Sequence, residues 1–366
     1  MFARNFLYLT LSLLFIMGLI MVFNTSSADI LDRSLTQNTH QAVVKQMLYA
    51  VAALCLAFVI SLIDYHLIVR MGMPLLAFFC VFLVLVFIPG IGKTINGASR
   101  WIDLGPFSFQ PSEFVKILIP ISYVHFLNGR SGQELDFKDF LKVLVIFFVP
   151  SCLILLEPDT GTTVIICLTF LMMLVISSVK KEYWIAPVLA GCLLFGFFAY
   201  NLPYVQKRIA VYLNPELDKR GKGHQAYQAK IAAGSGGLFG KGIGQSLQKL
   251  NYLPEAQNDY IAAIYAEEFG FLGSLVLILL YMSIVYLGFH IAFLSPDREG
   301  FYLAASLSFL ICIQSFLNLA VVSGLLPSTG LNLPFFSQGG SSLIANTAAV
   351  SVLCNVSSKT KKGEKG

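Results

Sequence analysis

Four short stretches of this 366-residue chain hold the residue types that do chemistry. The first, Tyr252-Leu-Pro-Glu-Ala-Gln-Asn-Asp259-Tyr, runs directly into a long apolar segment that also contains Glu267 and Glu268. On a helix rising ~1.5 Å per residue, Glu267 lies about 12 Å deeper than Asp259. An acid at a membrane boundary, reached by water yet partly desolvated, suits a general base whose pKa must approach the working pH. The alternative is a helix N-cap, which Asp fills routinely, and the two roles are compatible. Burying Glu267 and Glu268 within an apolar segment is costly, so either function or a paired structural role is expected of them.

The second stretch is Asn96-Gly-Ala-Ser-Arg100-Trp101-Ile-Asp103-Leu-Gly-Pro-Phe-Ser-Phe-Gln110-Pro-Ser-Glu113-Phe-Val-Lys116. Its glycines and prolines predict an ordered re-entrant or surface turn before a helix on which Glu113 and Lys116, three apart, share a face. Lys116 as a point charge and Arg100 as a forked donor could receive a diphosphate. A structural ion pair with an interfacial Arg and Trp anchor explains the same residues. The third, Glu157-Pro-Asp159-Thr-Gly-Thr, is a short turn whose acids either cap the next helix or bind a divalent cation, the cap being favoured. The fourth, Pro327 to Ser342, is polar and glycine-rich before the last apolar segment, and irregular backbone of that kind fits a cavity lining. Gly234-Ser-Gly-Gly-Leu-Phe-Gly-Lys241-Gly-Ile-Gly imitates a phosphate loop but fails its spacing: Ser235 stands five before Gly240, and Gly242 follows Lys241. It reads as a flexible loop turn. The five histidines are scattered, and the seven cysteines sit in or beside apolar runs without metal-ligand spacing.

Positioning these groups falls to membrane-spanning helices. With 56% hydrophobic and only 12% charged residues, the chain has the composition of a polytopic membrane protein rather than of soluble domains. Ten apolar segments have spanning length: 6–23, 47–63, 71–88, 111–127, 140–156, 162–179, 184–200, 260–290, 301–322 and 341–356. The expected fold is therefore all-α, one integral membrane domain over 1–366, with a large outer loop at about 201–258 and a basic tail at about 357–366. An even number of spans puts both termini on one side. Lys and Arg are concentrated there (Arg4, Arg70, Arg130, Lys138, Lys142, Lys180, Lys181, Arg298, Lys359, Lys361, Lys362, Lys365), which makes that side cytoplasmic. No cleavage site follows the first segment, so it is expected to be retained. The net charge of +5 is spread along the chain and does not indicate nucleic acid.

NGASRWIDLGPFSFQPSEFVKI, EPDTGT, GIGQSLQKLNYLPEAQNDYIAAIYAEEFGFLG and GLLPSTGLNLPFFSQGGSS occur in that order. Together they resemble the SEDS family (shape, elongation, division and sporulation), and its division branch more than its elongation branch. The resemblance covers about Asn96 to Ser342. It implies a ten-helix glycosyltransferase that polymerises lipid II into β-1,4 glycan strands during septal wall synthesis. The implied partners are a class B penicillin-binding protein and other divisome membrane proteins. Asp259 matches the family's essential loop aspartate, and Arg100, Glu113 and Lys116 match its substrate-binding Arg, Glu and Lys. Gln225, Ser341 and Ser342 complete the substrate-binding candidates, with Glu267, Glu268 and Trp101 in support. Gln257-Asn258 stands where His-Thr is usual, and Gln338 where Tyr is common. No cofactor is certain; a divalent cation, magnesium or manganese, stays open. Two other classes fit the same features: a transporter that flips lipid II, and an idle scaffold that recruits a crosslinking enzyme.

Overall fold

The computed structural model describes residues 2–33, 40–95, 98–105, 107–129, 136–177, 179–214, 222–249, 253 and 256–363. Asn96, Gly97, Arg130, Tyr252, Pro254, Glu255 and Lys365, singled out in the sequence, lie outside these residues. The chain folds as a helical bundle. Its first half contains α1 (Phe2–Arg33), α2 (Gln41–Leu62), α3 (Tyr65–Arg70), α4 (Gly72–Leu85), α5 (Pro111–Asn128), α6 (Phe137–Leu156) and α7 (Thr160–Ile176). Next come α8 (Lys181–Asn201), α9 (Pro203–Leu213), α10 (Lys222–Ser235), α11 (Ile261–Phe293), α12 (Arg298–Val322) and α13 (Gly340–Gly363). Each of the ten expected apolar segments contains a helix. Among the described residues six helices (in α1, α2, α6, α8, α11 and α12) are long and apolar enough to cross a membrane by length and composition, and α4 and α7 are shorter apolar helices. Central α5 is more polar because it is enclosed by protein: Ser112, Glu113, Lys116 and Ser122 are buried along it. A helix so enclosed need offer no apolar face to lipid.

Near its start α1 meets the later part of α13, where Tyr8 lies near Cys354. Helices α11 and α13 begin at the opposite end, where Asp259 sits, so both chain ends lie at the end of the bundle away from that acid. The far end is fastened by Lys359 to Asp64 at 2.5 Å, Tyr65 to Asp297 at 2.6 Å, and His66 to Glu299 at 3.0 Å.

Three features depart from the expected layout. The turn between α4 and α5 is an antiparallel sheet, β1 (Gly92–Ile95), β2 (Ala98–Leu104) and β3 (Phe107–Phe109), in the order β1-β2-β3. The sequence between 201 and 258, read as a loop, contains α9 and α10, and α10 packs on α11 through buried Ala229 and Ala232.

The third departure is that the glycine-rich run after Gly234 is no flexible turn. Helix α11 breaks at Gly270 (φ 66°, ψ −162°), and the run splices into the break. Lys241 and Gly242 N–H groups donate to the Glu267 and Glu268 carbonyls at 3.0 Å each, while Phe271 and Leu272 donate to the Gly237 and Leu238 carbonyls. The helical bonds lost at the break are thus remade by the loop, as an apolar surrounding requires. Lys241 also pairs with Glu267 at 2.6 Å and Lys249 with Glu268 at 2.8 Å, so both deep acids take the paired structural role. Gly240 is the tight point: a Cβ there would stand 2.1 Å from the Glu268 carbonyl oxygen, at φ +82°. Gly237, at φ +59°, faces open space. Gly240→Ala should therefore destabilise the protein by more than about 2 kcal/mol, and Gly237→Ala by only about 1 kcal/mol for its left-handed backbone. Thermal unfolding of the two purified variants in the same detergent checks this; equal shifts would refute the splice.

Candidate active site

Alternation along β2 places Arg100 and Ile102 on its buried face and leaves Asp103 exposed. Arg100, 8% exposed, donates from Nε to the Glu157 carbonyl at 3.0 Å and from Nη2 to the Pro158 carbonyl. Its Nη1 lies 3.9 Å from Asp159 Oδ1. Two of the three guanidinium nitrogens are thus spent on backbone, and the Nη1 edge faces the acids. Asp159 is the N-cap of α7, accepting from Thr162 N at 3.2 Å and Thr162 Oγ1 at 2.9 Å, as the favoured sequence reading held.

A second arginine arrives from α9. Arg208 Nη1 donates to Thr160 Oγ1 at 2.9 Å and to the Thr329 carbonyl at 3.4 Å. Burial, and then the like charge of Arg100, hold its pKa below the usual arginine value, while Asp159 and Asp259 act the other way. Asp259 is half-buried in the turn that leads into α11. The N-cap of that helix is Tyr260, the residue after Asp259. Gly330 (φ +77°) lies close to both Asp259 and Arg100: a Cβ built on it would stand 3.6 Å from Asp259 Oδ2 and 3.9 Å from Arg100 Nη1. Asp259, Arg100, Arg208 and the Asp159 cap thus form one cluster in which two guanidiniums face two carboxylates.

Glu157 adds an acid of a different kind. It is fully buried at the end of α6, and neither carboxyl oxygen has a hydrogen-bond partner among the described residues. Burial, followed by the neighbouring charge of Asp159, pushes its pKa up to about 9, against the pull of Arg100. The folded protein therefore binds a proton that the unfolded chain releases above pH ~4.5, and stability falls as pH rises from there towards about 9. Glu157→Gln keeps the shape and deletes this dependence. The variant should match wild type near pH 4.5, unfold at a higher temperature at pH 8, and retain activity; thermal scans across that range check the sign.

The remaining sequence candidates are distributed around this cluster. Glu113 and Lys116 pair as their spacing predicted, at 2.5 Å, but the Lys116 side chain is 0% exposed and its second partner is Gln314 Oε1 at 2.8 Å. An ammonium so enclosed is no open contact for a diphosphate, which corrects its expected placement. Ser341 pins β3 to α13, with Oγ accepting from Gln110 N at 3.0 Å and donating to the Ser108 carbonyl at 3.3 Å. Ser342 is buried and accepts from Asn346 at 3.1 Å. Trp101 lies on the opposite face of β2 from Arg100, and Gln225 is half-buried on α10. The two unusual positions adjoin, since Gln338 N–H donates to the Gln257 carbonyl at 2.9 Å. Among the described residues no group of three or more His, Cys, Asp or Glu is arranged to hold a metal.

Sequence reasoning missed Arg208, Gln314, Asn318 and Gly330. Arg208 was one of eight basic residues in a stretch read as loop. Only an amphipathic reading of 203–213, with Pro203 opening a helix, could have singled it out.

Residues 4–362 match the family model FTSW_RODA_SPOVE, described as "Cell cycle protein". The chain is 40% identical over 347 residues to stage V sporulation protein E of Bacillus subtilis, covering 94% of each chain. It is 36% identical over 348 residues to a probable peptidoglycan glycosyltransferase FtsW of Trichlorobacter lovleyi, covering 94% of this chain and 90% of that one. Among solved structures, one described as "Structural coordination of polymerization and crosslinking by a peptidoglycan synthase complex" superposes with a TM-score of 0.78 at 24% identity over 97% of both chains. The rod shape determining protein RodA of Thermus thermophilus superposes with a TM-score of 0.70 at 24% identity over 96% of both. At these identities the structures speak for the fold.

Proposed function

The chain belongs to the FtsW, RodA and SpoVE family of cell cycle proteins, and from that premise we infer that it is a peptidoglycan glycosyltransferase polymerising lipid II. The observation that carries the reading is Asp259 standing beside buried Arg100 and half-buried Arg208, at the end of a membrane bundle away from the start of α1 and the end of α13. In lipid II the reacting sugar carbon carries an α-linked diphosphate, and a β-1,4 bond inverts that carbon. A single displacement requires a base on the acceptor 4-hydroxyl and positive charge on the leaving group. Asp259 takes the hydroxyl proton as the oxygen attacks the sugar carbon. The carbon–oxygen bond to the lipid diphosphate breaks, and Arg100 and Arg208 hold the departing charge.

The lipid anchors of donor and acceptor put their head groups at the membrane surface, so the Asp259 end faces outward and both termini are cytoplasmic, as the Lys and Arg distribution also requires. The multi-pass bundle resides in the bacterial cytoplasmic membrane, and its place of work is the septum, in line with the FtsW relatives. A class B penicillin-binding protein is the partner proposed to crosslink the strands, a reading favoured by the similarity to a complex described as coordinating polymerization and crosslinking. The 40% identity to a sporulation protein supports a second setting for the same reaction, wall synthesis in a developing spore.

The test is polymerisation of purified lipid II by the purified chain in detergent, with and without its partner, resolved as glycan ladders on a gel. Strands formed in detergent establish a polymerase. Movement of lipid II across sealed vesicles without strand formation would establish the transporter instead.

A further inference from the structure

We infer that Gln314 and Asn318 are positioning residues for Asp259, forming a buried amide ladder on α12 that links the Glu113–Lys116 pair to the acid. The inference rests on the polymerase reading above. The two residues are four apart and hence on one face of the helix, and both are buried, 0% and 2% exposed. Gln314 Oε1 accepts from Lys116 Nζ at 2.8 Å, and its Nε2 donates to the Asn332 carbonyl at 2.9 Å. Asn318 Nδ2 donates to the Asp259 carbonyl at 2.9 Å and to the Leu331 carbonyl at 2.6 Å.

The orientation of each amide is dictated by chemistry. An ammonium only donates, so it must meet the Gln314 oxygen, which turns the nitrogen to Asn332. Backbone carbonyls only accept, so both of Asn318's partners require its nitrogen. Asn318 Oδ1 is buried and has no hydrogen-bond partner among the described residues, so this site uses the side chain as a double donor.

The ladder ends where geometry matters most. Leu331 and Asn332 directly follow Gly330, which lies close to the site: a Cβ built on it would stand 3.6 Å from Asp259 Oδ2 and 3.9 Å from Arg100 Nη1. Holding the Asp259, Leu331 and Asn332 carbonyls from one rigid helix therefore sets the acid and the Gly330 turn relative to each other. Hydrogen bonds in a low-dielectric interior are stiff, and their loss leaves buried carbonyls unpaired. On this account Lys116 acts on the reaction at one remove, by orienting Gln314, rather than by touching the diphosphate.

The experiment measures kcat and KM for lipid II in the purified full chain with its partner, for wild type, Gln314→Met, Gln314→Glu, Asn318→Leu, Lys116→Met and the Lys116→Met/Gln314→Met double variant. Gln314→Glu keeps an acceptor for Lys116 and loses the donor to Asn332. A displaced acid should lower kcat about 10- to 100-fold with KM within about 2-fold. The double variant should be no slower than Lys116→Met alone, because both belong to one linkage. Folded protein is checked by thermal unfolding of each variant. Full activity of Gln314→Glu and Asn318→Leu, multiplying losses in the double variant, a rise in KM, or loss of activity only where folding is lost would each overturn the ladder. A wild-type protein that forms no glycan overturns the polymerase reading itself, and the ladder with it.

Discussion

Purified protein carrying Asp259→Asn should bind lipid II and fail to polymerise it, with a rate lower by about 10²- to 10⁴-fold, the range general-base catalysis supplies. The substitution is nearly isosteric and the side chain is only half-buried, so the bundle should fold unchanged. Binding should hold or tighten. Asp259 and Asp159 are the carboxylates that balance Arg100 and Arg208, and removing one leaves an excess of positive charge for a diphosphate. A rate reduced with KM equal or lower is the signature of a lost transition-state interaction. A structural acid would give the reverse, weaker folding and weaker binding together. The measurement is initial glycan formation at several lipid II concentrations, beside lipid II binding to the same preparation. A variant turning over within about 3-fold of wild type would remove Asp259 from the chemistry, since even modest base catalysis exceeds that factor.

What the sequence made legible follows from where single-chain signals are strong. Apolar runs identified every long helix because spanning a bilayer demands length and composition that few other structures share. Glu113 and Lys116 were paired correctly because three residues on a helix fix a shared face. Long-range geometry stayed hidden. Nothing local to Asn318 indicates that it reaches Asp259, 59 positions earlier, and nothing local to Gly330 shows that it lies near an aspartate and an arginine. The sheet that carries Arg100 was masked by the same Gly and Pro residues that suggested a turn, since such residues punctuate hairpins and loops alike. Lys116 illustrates a different failure. A lysine near an outer surface reads as open, and only the packed fold reveals that Glu113 and Gln314 close over it. The glycine-rich run misled for a related reason: its glycines serve a tight backbone splice against Gly270, which composition cannot distinguish from flexibility.

The two arginines are expected to differ in what their loss does, and the difference follows from how each is held. Arg100 is fastened by backbone carbonyls at Nε and Nη2, leaving Nη1 as its working edge. Lysine cannot reproduce a planar group anchored at two corners, so Arg100→Lys should cost nearly as much as Arg100→Ala, about 10²- to 10³-fold in kcat, the scale for one donor lost from a charge-stabilising site. Among the described residues Arg208 hydrogen-bonds the Thr160 hydroxyl and the Thr329 carbonyl through Nη1. A lysine there can still offer a charge, so Arg208→Lys should retain more activity than Arg208→Ala. The like charge of Arg100 already bears on Arg208, so on the proposed mechanism an incoming diphosphate would relieve that repulsion, and either alanine variant should lose the relief. Initial rates for the four variants with lipid II decide the matter. Rates within about 3-fold of wild type in both alanine variants would sink the leaving-group role, because a preorganised cation at the departing diphosphate is worth more than that. Equal losses for Arg208→Lys and Arg208→Ala would instead mean that Arg208 works through its geometry, as Arg100 does.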